Sequence, residues 1–219
     1  MKVLISLFLI AAMIPAFSSC AQKSSKENSK ETSKKDLSKS KYSKATFAAG
    51  CFWHEEALFE SVKGVEDAVS GYAGGTGNNP SYESVETGNT GYAESVTVYY
   101  DPAVISYATL LKVYFEGQDP TQVNGQGPDE GTQYRSIAFY NNANEKNQIE
   151  QYIKQIAGKY KAPIAVQVMP LNRFWPAEKY HQDFIDKNPN SGYVQSVSIP
   201  EIKQFQKKYP ELIKPGHFF

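Results

Sequence analysis

The chain has 219 residues, 23 Lys and Arg against 23 Asp and Glu, and two cysteines. That length allows one sizeable domain or two small ones, and the absence of a basic stripe or nucleic-acid motif argues against a nucleic-acid partner. The zero net charge is a cancellation: Lys2 and eight lysines in residues 22–44 face three acidic residues there, leaving 14 basic and 20 acidic residues elsewhere.

Lys2 is followed by an apolar run over residues 3–17 and then by Ser18-Ser19-Cys20. Residues 1–19 read as a secretory signal, too short for a transmembrane span. Small residues leading to a cysteine resemble the lipobox of bacterial lipoproteins, in which cleavage precedes the cysteine and lipid is attached to it, here Cys20. A secreted protein cut after a small residue is the alternative, and Phe17 departs from the usual leucine. Residues 20–44 are then a lipid-anchored, Lys/Ser-rich tether with almost nothing apolar to bury, hence expected to be disordered. A lysine-rich tether beside a lipid anchor suits anionic headgroups, a solvated linker being the commoner use of such a run. These features place the domain outside the cell or in the periplasm, held at a membrane.

Residues 45–219 read as one mixed domain. A short apolar strand over 45–49 ends at Gly50, and Ala57, Leu58, Phe59 and Val62 fall on helical spacing after it. Residues 65–72 form a second strand. Gly71, Gly74, Gly75, Gly77, Pro80 and Gly88 then punctuate a long irregular connection. Residues 94–100 alternate, with Val96, Val98 and Tyr100 on one face and Ser95, Thr97 and Tyr99 on the other, a strand. Ser106 caps a helix carrying Leu110, Leu111, Val113, Tyr114 and Phe115. After a polar loop over 117–132 come a strand (134–140), a helix (145–158) and a strand (165–169). Phe174-Trp175-Pro176 is expected to open a further helix, with Pro176 in its first turn, and the remainder to wrap the domain surface. The order strand, helix, strand, strand, helix, strand predicts an α+β, ferredoxin-like sandwich with a mostly antiparallel sheet.

Cys51 is the only cysteine outside the leader, and it stands where strand gives way to helix. Unpaired N–H groups and the dipole at a helix N-terminus favour a thiolate, the nucleophilic form. A buried inert cysteine is the alternative. With Cys20 lipidated, the mature chain has one thiol and no internal disulfide. His54 beside Cys51 suggests a Cys–His pair, but neighbours on a helix point about 100° apart. Glu178 and His181 are too few for a metal site, so none is expected, and a helix-surface pair is preferred.

Gly50-Cys51-Phe52-Trp53 resembles the signature of the A-type peptide methionine sulfoxide reductases. Gly71-Tyr72-Ala73-Gly74-Gly75, Pro80-Ser81-Tyr82, Gly91-Tyr92-Ala93-Glu94, Gly131-Thr132-Gln133-Tyr134-Arg135-Ser136 and Phe174-Trp175-Pro176-Ala177-Glu178 resemble further segments of that family in order. The resemblance spans residues 45 to about 190 and implies an α+β sandwich that reduces methionine S-sulfoxide, free or in proteins. By motif position it implies that Cys51 attacks the sulfoxide sulfur and Glu94, as a protonated carboxyl, gives a proton to the oxygen. Tyr82 and Tyr134 would bind that oxygen, Phe52 and Trp53 would hold the substrate methyl, and Asp129 would organise the same site. Tyr72, Tyr92 and Trp175 read as packing or rim residues.

The chemistry asks for such residues: a sulfoxide oxygen leaves poorly unless protonated, and a carboxyl walled by aromatics keeps its proton near neutral pH. The C-terminal cysteines that many family members use to resolve the sulfenic acid are missing here. An external thiol, a small molecule or a thioredoxin-like protein, is therefore expected to reduce the enzyme, with no bound cofactor and a monomeric chain. A cysteine hydrolase or acyltransferase using His54 or His181, and a surface-binding lipoprotein with inert Cys51, are the competing readings.

Overall fold

The computed structural model describes residues 41–219. The leader, Cys20 and the tether up to residue 40 lie outside the described residues. The first strand, β1 (Ser43–Ala48), takes in the last two residues of the expected tether: Ser43 and Lys44 pair with Tyr100 and Tyr99. Lys41 is ion-paired with Asp101. The last residues assigned to the tether are therefore part of the domain.

After β1 come α1 (Phe52–Glu60), β2 (Val65–Ala73), α2 (Tyr82–Glu86), β3 (Ala93–Tyr100) and α3 (Tyr107–Glu116). A small hairpin of β4 (Gly125–Gln126) and β5 (Asp129–Glu130) precedes β6 (Ile137–Tyr140), α4 (Ala143–Ile156), β7 (Gln167–Pro170) and β8 (Phe174–Pro176). The chain ends with α5 (Phe184–Lys187), a π-helical turn at Val194–Ser198 and α6 (Ile199–Lys208).

The main sheet runs β7-β6-β1-β3-β2-β8, antiparallel everywhere except the β6–β7 pair. Its inner four strands, β6-β1-β3-β2, have the order and directions of the ferredoxin-like plait that the element order predicts. β3 lies between β1 and β2, so its alternation sorts two buried faces instead of one buried and one wet. Val96, Val98 and Tyr100 face the helices. They share one core with Phe47 of β1, Leu58 and Phe59 of α1, and Leu110 and Tyr114 of α3. Phe47 stacks on Tyr114 at 4.8 Å and on Phe59 at 5.4 Å between ring centres. The opposite face holds a smaller cluster around Ala48, Ala73, Ala93, Ile137 and Phe139.

Three expectations change. The Gly-rich connection contains α2, whose N-cap Ser81 forms a reciprocal capping box with Ser84. Phe174-Trp175-Pro176 is a strand and not the start of a helix, pairing with Ala73, Tyr72 and Gly71 of β2. β8 is an edge strand, where the N–H that proline lacks has no ladder partner to miss. It approaches so closely that a Cβ on Gly71 would lie 2.3 Å from the Trp175 carbonyl oxygen. Finally, the C-terminal segment does more than wrap the surface: Ile202 and Phe205 of α6 are buried in the main core.

At the end of α1, Glu60 lies beside Glu56 and Asp183, with ligand oxygens within 4.8 Å of one another. Burial, reinforced by those two neighbouring charges, pushes the Glu60 carboxyl up to about 8. A carboxyl raised in the folded chain binds its proton longer than in the unfolded chain. Its stabilising contribution is therefore complete below the ordinary value of 4.5 and lost as pH rises through about 8. Thermal melts should show Glu60→Gln more stable than the native chain at pH 9, with the gain gone at pH 4. An equal difference at both pH values would exclude this origin.

Candidate active site

Gly50 turns the chain from β1 into α1 with a left-handed backbone, φ 73°, and a Cβ there would stand 2.6 Å from the Cβ of Gln126. Its N–H donates to the Tyr134 carbonyl at 3.1 Å, tying the approach to Cys51 to the segment that carries Tyr134. Cys51 is then the N-cap of α1 and only 9% exposed. Cysteine is not among the residues that cap a helix well, so the first-turn N–H groups need other acceptors. The Phe52 N–H finds one in Glu94 Oε2, at 2.9 Å. Glu94 stands at the start of β3 on the same face as Val96 and Val98, and is 2% exposed.

Burial pushes the Glu94 carboxyl well above its usual range, the Phe52 N–H opposes, and the charges of Glu86 and Asp129 add to the rise. A helix terminus is worth about 0.3–2 kcal/mol to a charge, whereas burying an ion costs several, so burial wins. The same comparison corrects the expectation for Cys51. Burial first, then the Glu94 charge, raises the thiol well above its usual value, and the Trp53 N–H and the Tyr193 hydroxyl do not offset them. The resting site therefore holds a thiol beside a protonated carboxyl.

Aromatic rings close one side. Phe52 lies 5.8 Å from Tyr72, 6.3 Å from Trp53 and 6.5 Å from Tyr82 between ring centres. Trp53 stacks on Phe184 at 3.7 Å and 8°. The backbone N–H of Tyr82 donates to Glu178 Oε1 at 3.0 Å, and the Tyr72 hydroxyl to Oε2 at 2.8 Å. The Tyr134 hydroxyl donates to Glu86 Oε2 at 2.9 Å. Across the thiol, Asp129 of the small hairpin accepts a short hydrogen bond from the Tyr193 hydroxyl. The same hydroxyl is close enough to Cys51 to hold the thiol lower than burial alone would. A cavity of about 10 Å³, lined by Cys51, His54, Gln126, Asp129, Tyr193 and Glu201 among others, lies there, room for about one water. His54 is buried and held down to about 4, chiefly by desolvation. Its ring is thus uncharged near neutral pH, and Glu201 Oε2 lies 3.6 Å from Nδ1.

Three comparisons bear on this arrangement. The family model of peptide methionine sulfoxide reductase matches residues 43–213. The chain is 43% identical over 170 residues to peptide methionine sulfoxide reductase MsrA 1 of Rhodopirellula baltica, covering 78% of this chain and 88% of that protein. To MsrA 2 of Mesorhizobium japonicum it is 46% identical over 171 residues, 77% and 88% of the two chains. Its structure is similar to that of reduced Mxr1 from Saccharomyces cerevisiae, with a TM-score of 0.66 and 35% identity over 68% of this chain and 87% of that one. Methionine sulfoxide reductase A of Corynebacterium diphtheriae matches with a TM-score of 0.63 and 33% identity, over 68% and 76%.

The chain belongs to the peptide methionine sulfoxide reductase family. It is a peptide-methionine (S)-S-oxide reductase, an oxidoreductase that carries out thiol-dependent reduction of methionine sulfoxide.

Within this reductase, all seven residues singled out in the domain converge: Cys51, Phe52, Trp53, Tyr82, Glu94, Asp129 and Tyr134. Sequence reasoning missed Glu86, which takes the Tyr134 hydroxyl, and Tyr193, which reaches the thiol from a C-terminal stretch with no local signal for it. It also misjudged Glu178 and His181. His181 is 1% exposed and Glu178 binds two tyrosines, so neither is half of a helix-surface pair. Cys20 lies outside the described residues.

Tyr193 gives its one hydroxyl proton to Asp129, and the same hydroxyl holds the Cys51 thiol lower. Removing the hydroxyl takes a donor from the thiolate. In Tyr193→Phe the pH midpoint for alkylation of Cys51 by iodoacetamide should therefore rise. An unchanged or lower midpoint would mean that the hydroxyl does not stabilise the thiolate.

Proposed function

We propose that Cys51 is the nucleophile of this reductase and Glu94 its acid, acting on methionine S-sulfoxide free or in oxidised proteins. The observation that carries the reading is the Glu94 carboxyl, buried, hydrogen-bonded to the residue after the thiol and pushed well above its usual range by that burial. Phe52 and Trp53 hold the substrate methyl against an apolar wall. Tyr82 and Tyr134 donate to the sulfoxide oxygen, Tyr134 by turning from Glu86. Asp129 holds Tyr193 against the sulfur.

Glu94 gives its proton to the sulfoxide oxygen as the Cys51 sulfur bonds to the sulfoxide sulfur, and the thiol proton passes back to the Glu94 carboxylate. The hydroxyl then moves from the substrate sulfur to the Cys51 sulfur, breaking the substrate S–O bond and the new S–S bond, which releases methionine and leaves Cys51 as sulfenic acid. One external thiol then displaces water to form a mixed disulfide, and a second restores the Cys51 thiol and leaves as the disulfide. The sum is one sulfoxide and two thiols giving one methionine, one disulfide and one water. Cys51 is the single free cysteine among the described residues, which supports direct attack by the external reductant, a small thiol or a thioredoxin-like protein.

The domain assignment follows as signal peptide (1–19), lipid-modified Cys20 with tether, and a monomeric reductase domain. Among the described residues no helix is long and apolar enough to cross a membrane, so attachment at a membrane surface rests on the leader and Cys20. The role is repair of oxidised proteins outside the cytoplasm.

Without reductant, a single turnover should yield one methionine per chain and a dimedone adduct at Cys51. Cys51→Ser should lower turnover at least about 10³-fold, because a hydroxyl is a far weaker nucleophile at this pH. Two methionines per mature chain, or near-native turnover of the serine variant, would remove this cycle.

Cys20→Ala should move the protein from the membrane fraction to the soluble fraction while turnover of a soluble substrate stays unchanged. Continued sedimentation with membranes would refute the anchor.

A further inference from the structure

His181 is the one buried ring at the aromatic wall that carries a hydrogen-bond acceptor aimed at a substrate-side residue. The Trp53 indole N–H donates to its Nδ1 at 3.0 Å. The imidazole lies 4.4 Å from the Tyr82 ring, 4.9 Å from Phe52, 5.7 Å from Trp53 and 4.1 Å from Tyr180, centre to centre. It is therefore enclosed by side chains from α1, α2 and its own segment.

Because the indole N–H is only a donor, Nδ1 must carry its lone pair and the ring proton sits on Nε2. Nε2 is buried with no hydrogen-bond partner among the described residues, and leaving a buried donor unmet costs about 1–3 kcal/mol. An apolar ring would fill the same space without that cost, so packing alone does not account for a histidine here. Glu178, three residues earlier, grips the Tyr72 hydroxyl and the Tyr82 backbone. The segment after β8 thus holds the substrate-side aromatics from two directions, Glu178 through Tyr82 and His181 through Trp53.

We infer that His181 is a positioning residue, fixing the rotation of the Trp53 indole so that its face is presented to the substrate methyl. The inference rests on the proposed role of Trp53 as that wall. Stacking on Phe184 fixes the plane of the indole, and the hydrogen bond to His181 fixes which edge turns inward. Burial keeps the imidazole in its neutral form, against the opposing charges of Glu178 and Glu83, so the acceptor persists at neutral pH.

The test compares His181→Phe, which keeps a ring and deletes the acceptor, with His181→Asn, whose amide oxygen accepts near the Nδ1 position. Loss of one such hydrogen bond corresponds to about fivefold. With a methionine S-sulfoxide peptide, KM should rise by about that factor in the phenylalanine variant while kcat changes little, the signature of lost binding. The asparagine variant should recover most of the loss. His181→Leu removes the same acceptor from a smaller side chain, should the phenylalanine not be accommodated.

The chain has two tryptophans, so in a Trp175→Phe background, excited beyond the tyrosine absorption, Trp53 is the sole emitter. Its emission maximum should shift with His181→Phe and stay in place with His181→Asn. In a Trp53→Phe background, His181→Phe should add nothing to KM. Additive effects of the two substitutions on KM, or indistinguishable phenylalanine and asparagine variants, would overturn the inference alone. A Trp53→Phe enzyme with native KM would overturn the methyl-wall reading and this inference with it.

Discussion

The hydrogen bond from the Phe52 N–H to Glu94 is the constraint on which the rest of the site depends. A helix whose first residue is buried must satisfy its opening N–H groups, and a cysteine N-cap does this poorly. Meeting that need with a carboxyl from β3 requires β3 to lie in the middle of the sheet, under the start of α1. The order β1-β3-β2 provides this, with α1 crossing from β1 to β2 over the strand between them. It also requires the chain to turn sharply at position 50, where a left-handed backbone and the nearness of Gln126 leave room only for glycine. The nucleophile and the acid are thus joined by main-chain geometry, through the Phe52 N–H.

That arrangement explains why the site is rich in protons. The charges of Glu86 and Asp129 raise Glu94 further, and those of Glu94 and Asp129 raise Cys51. Among the described residues no ion pair reaches Glu94 or Asp129. With little water and no counter-ion, the cheapest way to hold a carboxyl there is to protonate it. A thiolate standing permanently in this setting would be equally costly, which is why the helix terminus fails to create one in the resting state. The polarity of the site suits a reaction whose difficulty lies in the leaving oxygen: what is stored is the proton that oxygen needs.

Much of this was legible in the sequence where the signal is local. Ser106 as the cap of α3, the alternation of β3 and the Gly50-Cys51 junction are short-range patterns, and all three appear in the fold. The errors have one physical character. Phe174-Trp175-Pro176 suits either a helix start or an edge strand, and only the approach of β2, with glycine at position 71, decides between them. α2 hides in a glycine-rich stretch because it is five residues long, too short for periodicity to show; the Ser81–Ser84 pair was its one local mark. The surroundings of the thiol were harder still. A helix N-terminus can be read from the chain, but the burial and charge that reverse its effect depend on side chains far away in sequence, such as Glu94 and Asp129.

The separation of the two sides of Cys51 bears on how a proton and a sulfur can move without interfering. Glu94, with Glu86 and Tyr134 behind it, lies toward the aromatic wall, where a sulfoxide oxygen would be met by donors. Asp129 and Tyr193 come from a hairpin and a C-terminal turn, and Tyr193 meets the wall only edge-on, at Trp53. Losing the thiol proton creates a negative sulfur that Glu94, once ionised, would repel. The Tyr193 hydroxyl is the group that can turn to that sulfur, giving up Asp129 to do so. Proton donation to the substrate and stabilisation of the nucleophile thus draw on different donors, and neither has to be released for the other to act.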